Sequence, residues 1–166
     1  MAYLIGIPLL TLLAVLQSAI LAHIRLLDGR PDLILLAIIG WGVVGRGREA
    51  MVLGLIGGLL LDLLSGIPFG ASAIALILVA YLASLTEGRL WEAHLLMPLG
   101  VTLIGSLVYH GLTLAALMLA GHTIDLGTAA VRVLLPSTFL NLILALPAAQ
   151  LAEALRRTLS RPEVTI

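Results

Sequence analysis

The chain of 166 residues contains no cysteine, which excludes disulfides, thiolate nucleophiles and thiolate metal sites. Charge is scarce: Asp, Glu, Lys and Arg make up 11% of the residues, against 61% hydrophobic. A water-soluble domain of this length needs far more charge to cover its surface. The formal net charge is zero and no basic block occurs, so nothing offers a footing to nucleic acid. The common catalytic patterns are missing too. There is no H-E-x-x-H pair, no serine elbow and no phosphate-binding loop. Gly54, Gly57 and Gly58 lie close together, but with no lysine beside them and no βαβ context. His110 has no second ligand at helical spacing, so neither a metal nor a cofactor is expected. These absences argue against an enzyme.

What is present belongs in a bilayer. Mean hydropathy is +1.17. The opening MAYLIGIPLLTLLAVLQSAILAHI has no basic leader, and its apolar run is too long for a cleaved signal. It reads as a retained first span. Apolar runs predict an all-α, polytopic membrane protein with six helices, near residues 3–22, 33–44, 50–64, 71–84, 95–119 and 128–151. The transmembrane domain is then 1–153, with a short cytoplasmic tail at 154–166 whose helix continues to about Leu159. Six spans put both termini on one side. That side collects Arg46, Arg48, Arg89, Arg156, Arg157 and Arg161, whereas Arg25 and Arg30, with Arg132 nearby, fall on the other. The bias predicts cytoplasmic termini.

One stretch organises the rest: MVLGLIGGLLLDLLSGIPFG, residues 51–70. On a helix, Gly54, Gly58 and Asp62 share a face. The two glycines form a small-xxx-small notch for a second helix, and Ala80 and Ser84 repeat that spacing. Small-residue faces of this kind would let a partner's helix approach closely. Asp62 needs a partner at this depth. Ser65, Gly66, Pro68 and Gly70 follow it as a hinge, so Asp62 is expected to accept hydrogen bonds from the Gly66–Gly70 backbone or the next helix start.

Other polar residues sit within the apolar spans. Gln17 and Ser18 suit an interhelical hydrogen bond. Asp28-Gly29 signals a turn, Pro31 fits the first turn of the next helix, and Asp32 gains there from unpaired amides. The segment GRGRE, residues 45–49, reads as a tight basic loop of an antiparallel hairpin. Trp41 marks packing or interface depth, and Trp91 an interfacial loop. Tyr109, His110 and Asn141 form a candidate buried polar cluster, with Asp62 the candidate partner of His110. Pro136 should kink or loosen the last helix. Two classes stay open on residue chemistry alone. One is a scaffold that binds other membrane proteins. The other is a binding or transport subunit holding a small molecule or lipid in a pocket near Asp62.

The sequence resembles the MreD family, small integral membrane proteins of the bacterial rod-shape system. The resemblance rests on LQSAILAHIRLLDGRPD (residues 16–32), GRGREA (45–50) and, most strongly, GLIGGLLLDLLSGIPFGASAI (54–74). It implies a six-helix fold similar to the substrate-binding subunit of energy-coupling-factor transporters. It implies a non-catalytic role in the inner membrane, controlling cell shape and peptidoglycan synthesis. The implied partners are MreC, then MreB, RodA and a class B penicillin-binding protein of the elongation complex, with membrane lipids around them. The motif residues Arg30, Pro31, Asp32, Gly54, Gly57, Gly58, Asp62, Gly66, Pro68 and Gly70 are implied to serve structure or partner contact.

Overall fold

Runs of Leu, Ile and Ala favour helix, and proline and glycine here punctuate rather than prevent it. The computed structural model describes residues 2–21, 29–86 and 96–159, and among them every regular element is helical. Helix α1 (Ala2–Leu16) passes into a π-helical segment, Gln17–Leu21. Then come α2 (Leu33–Val43), α3 (Gly47–Ser65), α4 (Ala71–Ser84) and α5 (Leu96–Leu119). The last helix, α6, runs as Leu126–Ala129, a π-helical segment Ala130–Leu134, and Leu135–Leu159. Asp28, the loop with Arg89 and Trp91, and the tail beyond 159 lie outside the described residues.

The second and fourth helices fall where the apolar runs put them. The third begins earlier than expected, at Gly47, so GRGRE is not a five-residue loop. Glu49 sits in the first turn of α3 and accepts hydrogen bonds from Trp41 Nε1 (3.1 Å) and Arg46 Nη1 (3.0 Å). A carboxylate in the first turn also suits the helix dipole. That pairing closes the α2–α3 connection without a long loop. The loosening expected at Pro136 takes a definite form. Proline cannot donate to the carbonyl four residues back, and the turn before it widens, with Leu135 N donating to Ala130 O. Pro147 lies inside the same helix without ending it.

Helix α2 is the core of the bundle. Ile34, Leu35, Leu36, Ile38, Ile39 and Trp41 are all buried, and α3, α4, α5 and α6 pack around it. At 1.5 Å per residue it spans only about 16 Å, roughly half a hydrocarbon core. Among the described residues two helices, α5 and α6, are long and apolar enough to cross a membrane.

The tightest pairing is α3 with α4. A Cβ on Gly58 would stand 2.3 Å from Ala73 Cα, and one on Gly54 would stand 3.1 Å from Leu76 O. Farther along, a Cβ on Gly47 would meet Ser84 Cβ at 2.4 Å, and Ala80 is fully buried. The small-residue notch therefore receives the next helix of the same chain. This corrects the expectation that these faces are exposed for a partner's helix: the sequence neighbour, tethered by five residues between Ser65 and Ala71, occupies them.

Candidate functional site

Asp62 closes the turn between α3 and α4. Its Oδ2 accepts from Gly70 N at 2.8 Å and its Oδ1 from Ser72 N at 3.0 Å. The residue is 4% exposed. Gly66 ends α3 with φ +68° and Gly70 begins α4 with φ +95°, a region that L side chains adopt at a cost. Pro68 O accepts from Ala71 N within the turn. The carboxylate thus satisfies amides at the start of α4, as the sequence led one to expect.

Asp32 does something the sequence did not indicate. It precedes α2 but makes no side-chain cap there. Its carboxylate turns inward instead. Oδ2 accepts from Asn141 Nδ2 at 3.2 Å and Oδ1 from Gln17 Nε2 at 3.2 Å. The Asp32 backbone N donates to Asn141 Oδ1 at 2.8 Å. The free amide of Ile34 is taken by Gln17 Oε1 at 3.3 Å, so Gln17 caps α2 from another helix. Asn141 Nδ2 also donates to Ser106 Oγ at 3.2 Å, and Arg30 N donates to Ser137 Oγ at 3.1 Å. The Arg30-Pro31-Asp32 segment is therefore stapled directly to the π-helical extension of α1 and to α6, and through Asn141 to α5.

His110 Nε2 lies 3.3 Å from Asp32 Oδ2, within ion-pair distance but without the alignment of a hydrogen bond. Its carboxylate neighbour is thus Asp32 and not Asp62; the residue before it, Tyr109, is the one that faces Ser72 and the charge of Asp62. Tyr109 is buried next to it, with ring centroids 5.4 Å apart. Of the candidate cluster, Asn141 and His110 meet at Asp32, and Tyr109 packs alongside. Of the glycines, Gly57 packs toward Ile34 and Leu10.

The segment is buried against α6. A Cβ on Gly29 would be 2.6 Å from Pro136 and Ser137, about three turns into that helix. Irregular backbone that is buried needs protein partners for its polar groups. Asn141 and Ser137 supply them here. Ser137 escaped the sequence reading; its only signal was a hydroxyl beside a helix-interrupting proline.

Because α5 and α6 extend beyond this buried segment, they wall a cavity of about 930 Å³ above it. Gln17, Arg30, Asp32, Tyr109, His110 and Arg132 are among its lining. Asp62 itself is not, although Leu61, Leu64, Ser65 and Ile67 around it are, so the pocket lies near Asp62 without being lined by its carboxylate. Both π-helical segments contribute to the wall. At the rim, Asp125 accepts from Gly127 N and Thr128 Oγ1. The hydroxyl of Thr128, then the amide of Gly127, hold its carboxyl below the usual carboxylate range.

The family model for the rod shape-determining protein MreD matches residues 1–157. The chain belongs to the MreD family. It is thus a member of a membrane protein family of the bacterial cell-shape machinery, one not known for catalysis. No curated protein and no solved structure gives a significant match to it.

Proposed function

We propose that this MreD-family protein is a non-catalytic scaffold of the cell-elongation machinery. It spans the inner membrane with six helices and both termini in the cytoplasm, and it binds MreC. Through MreC it joins MreB, RodA and a class B penicillin-binding protein, and so acts on peptidoglycan synthesis. The observation that supports this reading is how the buried carboxylates are used. Asp62 is engaged by two backbone amides, and Asp32 by Gln17 and Asn141. Groups committed to holding helices together shape a surface; they are poorly placed to take up and release a substrate or a coupling ion. The arginine bias supports the topology. The likeness to the substrate-binding subunit of energy-coupling-factor transporters belongs to the same proposal.

Since the α3–α4 notch is filled, MreC is expected on another face. The outward apolar side chains of α3 and α4, such as Leu55, Leu63, Ile74 and Tyr81, are candidates. The test is co-purification with MreC, full length and lacking its transmembrane helix, followed by crosslinking from single introduced cysteines, which the cysteine-free chain allows. Binding that survives loss of the MreC helix would refute the intramembrane contact. Cysteines at Ser160 and Asp28 should label from opposite sides of the membrane; labelling from one side would refute the topology.

A second reading has one observation in its favour. The polar cavity beside Asp32 and His110 could hold a small molecule or lipid, and its occupant is taken up next.

A further inference from the structure

The scaffold reading leaves the 930 Å³ cavity without a role. Its volume is in the range of pockets that hold one small ligand, roughly 300–1,000 Å³. Four formally charged side chains line it: Arg30, Asp32, Asp125 and Arg132. The two acids are already engaged. Asp32 is held by Gln17 and Asn141, with His110 against it. Asp125 is held by Gly127 and Thr128. Neither guanidinium makes a hydrogen bond or an ion-pair contact among the described residues. Arg30 feels the charge of Asp32 without touching it.

His110 also borders the cavity, but its Nε2 is closed off against Asp32 Oδ2 at 3.3 Å and offers no free donor. The rest of the wall is mixed: hydroxyls such as Ser18, Ser65, Thr113 and Thr123 alternate with an apolar part made by Leu61, Leu64, Ile67 and Val133. Two cationic forks with no partner among the described residues, beside that apolar part, match an anion that carries a hydrophobic portion.

We propose that the cavity binds a phosphate-bearing amphiphile of net negative charge. Its phosphate is held by Arg30 and Arg132, and its apolar part lies against Leu61, Leu64, Ile67 and Val133. The shared chemistry is the anionic phosphate. A membrane lipid and a soluble phosphate ester are its two sources. The inference goes beyond the scaffold reading and does not depend on MreC binding.

The test uses the full chain in nanodiscs of equal parts phosphatidylglycerol and phosphatidylcholine. Lipid retained after extraction into detergent is measured by native mass spectrometry. Selective retention of phosphatidylglycerol is expected, falling roughly tenfold or more in Arg30→Gln/Arg132→Gln as two charge-assisted contacts are lost. Both arginines are exposed, so the fold should persist, and helical content checks this. Val133→Trp, at an exposed wall position, should lower retention while leaving both arginines in place. Displacement of the lipid by millimolar inorganic pyrophosphate would support the phosphate site and assign it a soluble source. No preference for phosphatidylglycerol over phosphatidylcholine, or equal retention by the folded double variant, would overturn the proposal. MreC co-purification of the same variants reads the scaffold function separately.

Discussion

Asp32 and Asn141, separated by 109 positions in sequence, exchange two hydrogen bonds: Asp32 N to Asn141 Oδ1 at 2.8 Å, and Asn141 Nδ2 to Asp32 Oδ2 at 3.2 Å. Asn141 is fully buried. An amide side chain here matches a backbone donor and a carboxylate acceptor together, which no apolar residue could. The pair fixes the buried start of α2 against α6, and the bundle is assembled around α2.

Replacing Asn141 with Leu should therefore destabilise the fold by about 2–4 kcal/mol, since it leaves a buried amide and a buried carboxylate short of partners. Asn141→Asp should be at least as damaging, because it sets a second carboxylate against Asp32. Thermal unfolding of the detergent-purified protein, followed by helical signal, measures both. A midpoint unchanged in Asn141→Leu would show that the pair contributes nothing.

At Asp62 the order of substitutions is the test. Asn keeps an acceptor for one of the amides of Gly70 and Ser72, whereas Leu keeps none. Each stranded buried amide costs about 1–3 kcal/mol. Folded yield should fall modestly for Asp62→Asn and severely for Asp62→Leu. Equal yields for the two would remove the turn-closing role.

The glycines of α3 should not behave alike. Gly58→Ala drives a methyl into the backbone of Ala73 and should cost about 2 kcal/mol or more. At Gly57 the methyl meets Ile34 Cγ2 at 3.0 Å, a side-chain methyl that must give by a few tenths of an ångström rather than backbone, so Gly57→Ala should cost less. Comparing unfolding midpoints of the two variants checks the ranking. The reverse order would mean that α3 and α4 are not packed as described.

At Asp125 the expectation concerns pH. Its carboxyl is held below the ordinary value of 3.8, so the support it gives to the start of α6 is present above that value and is lost as pH falls through the lower, folded-state value. The protection factors of amides 126–129, corrected for the intrinsic pH dependence of amide exchange, should fall on acidification and stay constant over the same range in Asp125→Asn. Unchanged protection at acid pH would contradict the Thr128 and Gly127 contacts.

How much of this was legible in the sequence follows from the range of each interaction. Asp62 and its amides lie within ten positions, joined by a turn whose glycines and proline announce it, so both the contact and the bounds of α4 could be anticipated. Asp32 finds its partners 15 and 109 positions away. Local pattern offered only a helix start there, and the capping it suggested is performed by Gln17 instead. His110 was visible as a buried polar residue, but choosing between Asp62 and Asp32 required knowing which residue of α5 faces each carboxylate. The notch of Gly54 and Gly58 was plain, though spacing does not say whether a neighbour in the chain or another protein fills it. A pocket near Asp62 was open on the residues, but its wall was not legible: Gln17, Arg30, Leu64, His110 and Arg132 come from separate elements that no single stretch brings together.

The central claim is that the buried polar groups hold the bundle in shape rather than carry protons, ions or substrate. Asp32→Asn tests it most directly, because it keeps acceptor capacity toward Asn141 and removes the charge. The measurement is cell shape in a rod-shaped bacterium that lacks its own copy, at matched protein level and with MreC co-purification as the control. The account predicts rods. Spherical cells, from a variant that folds and still brings down MreC, would contradict it and assign Asp32 and His110 to chemistry.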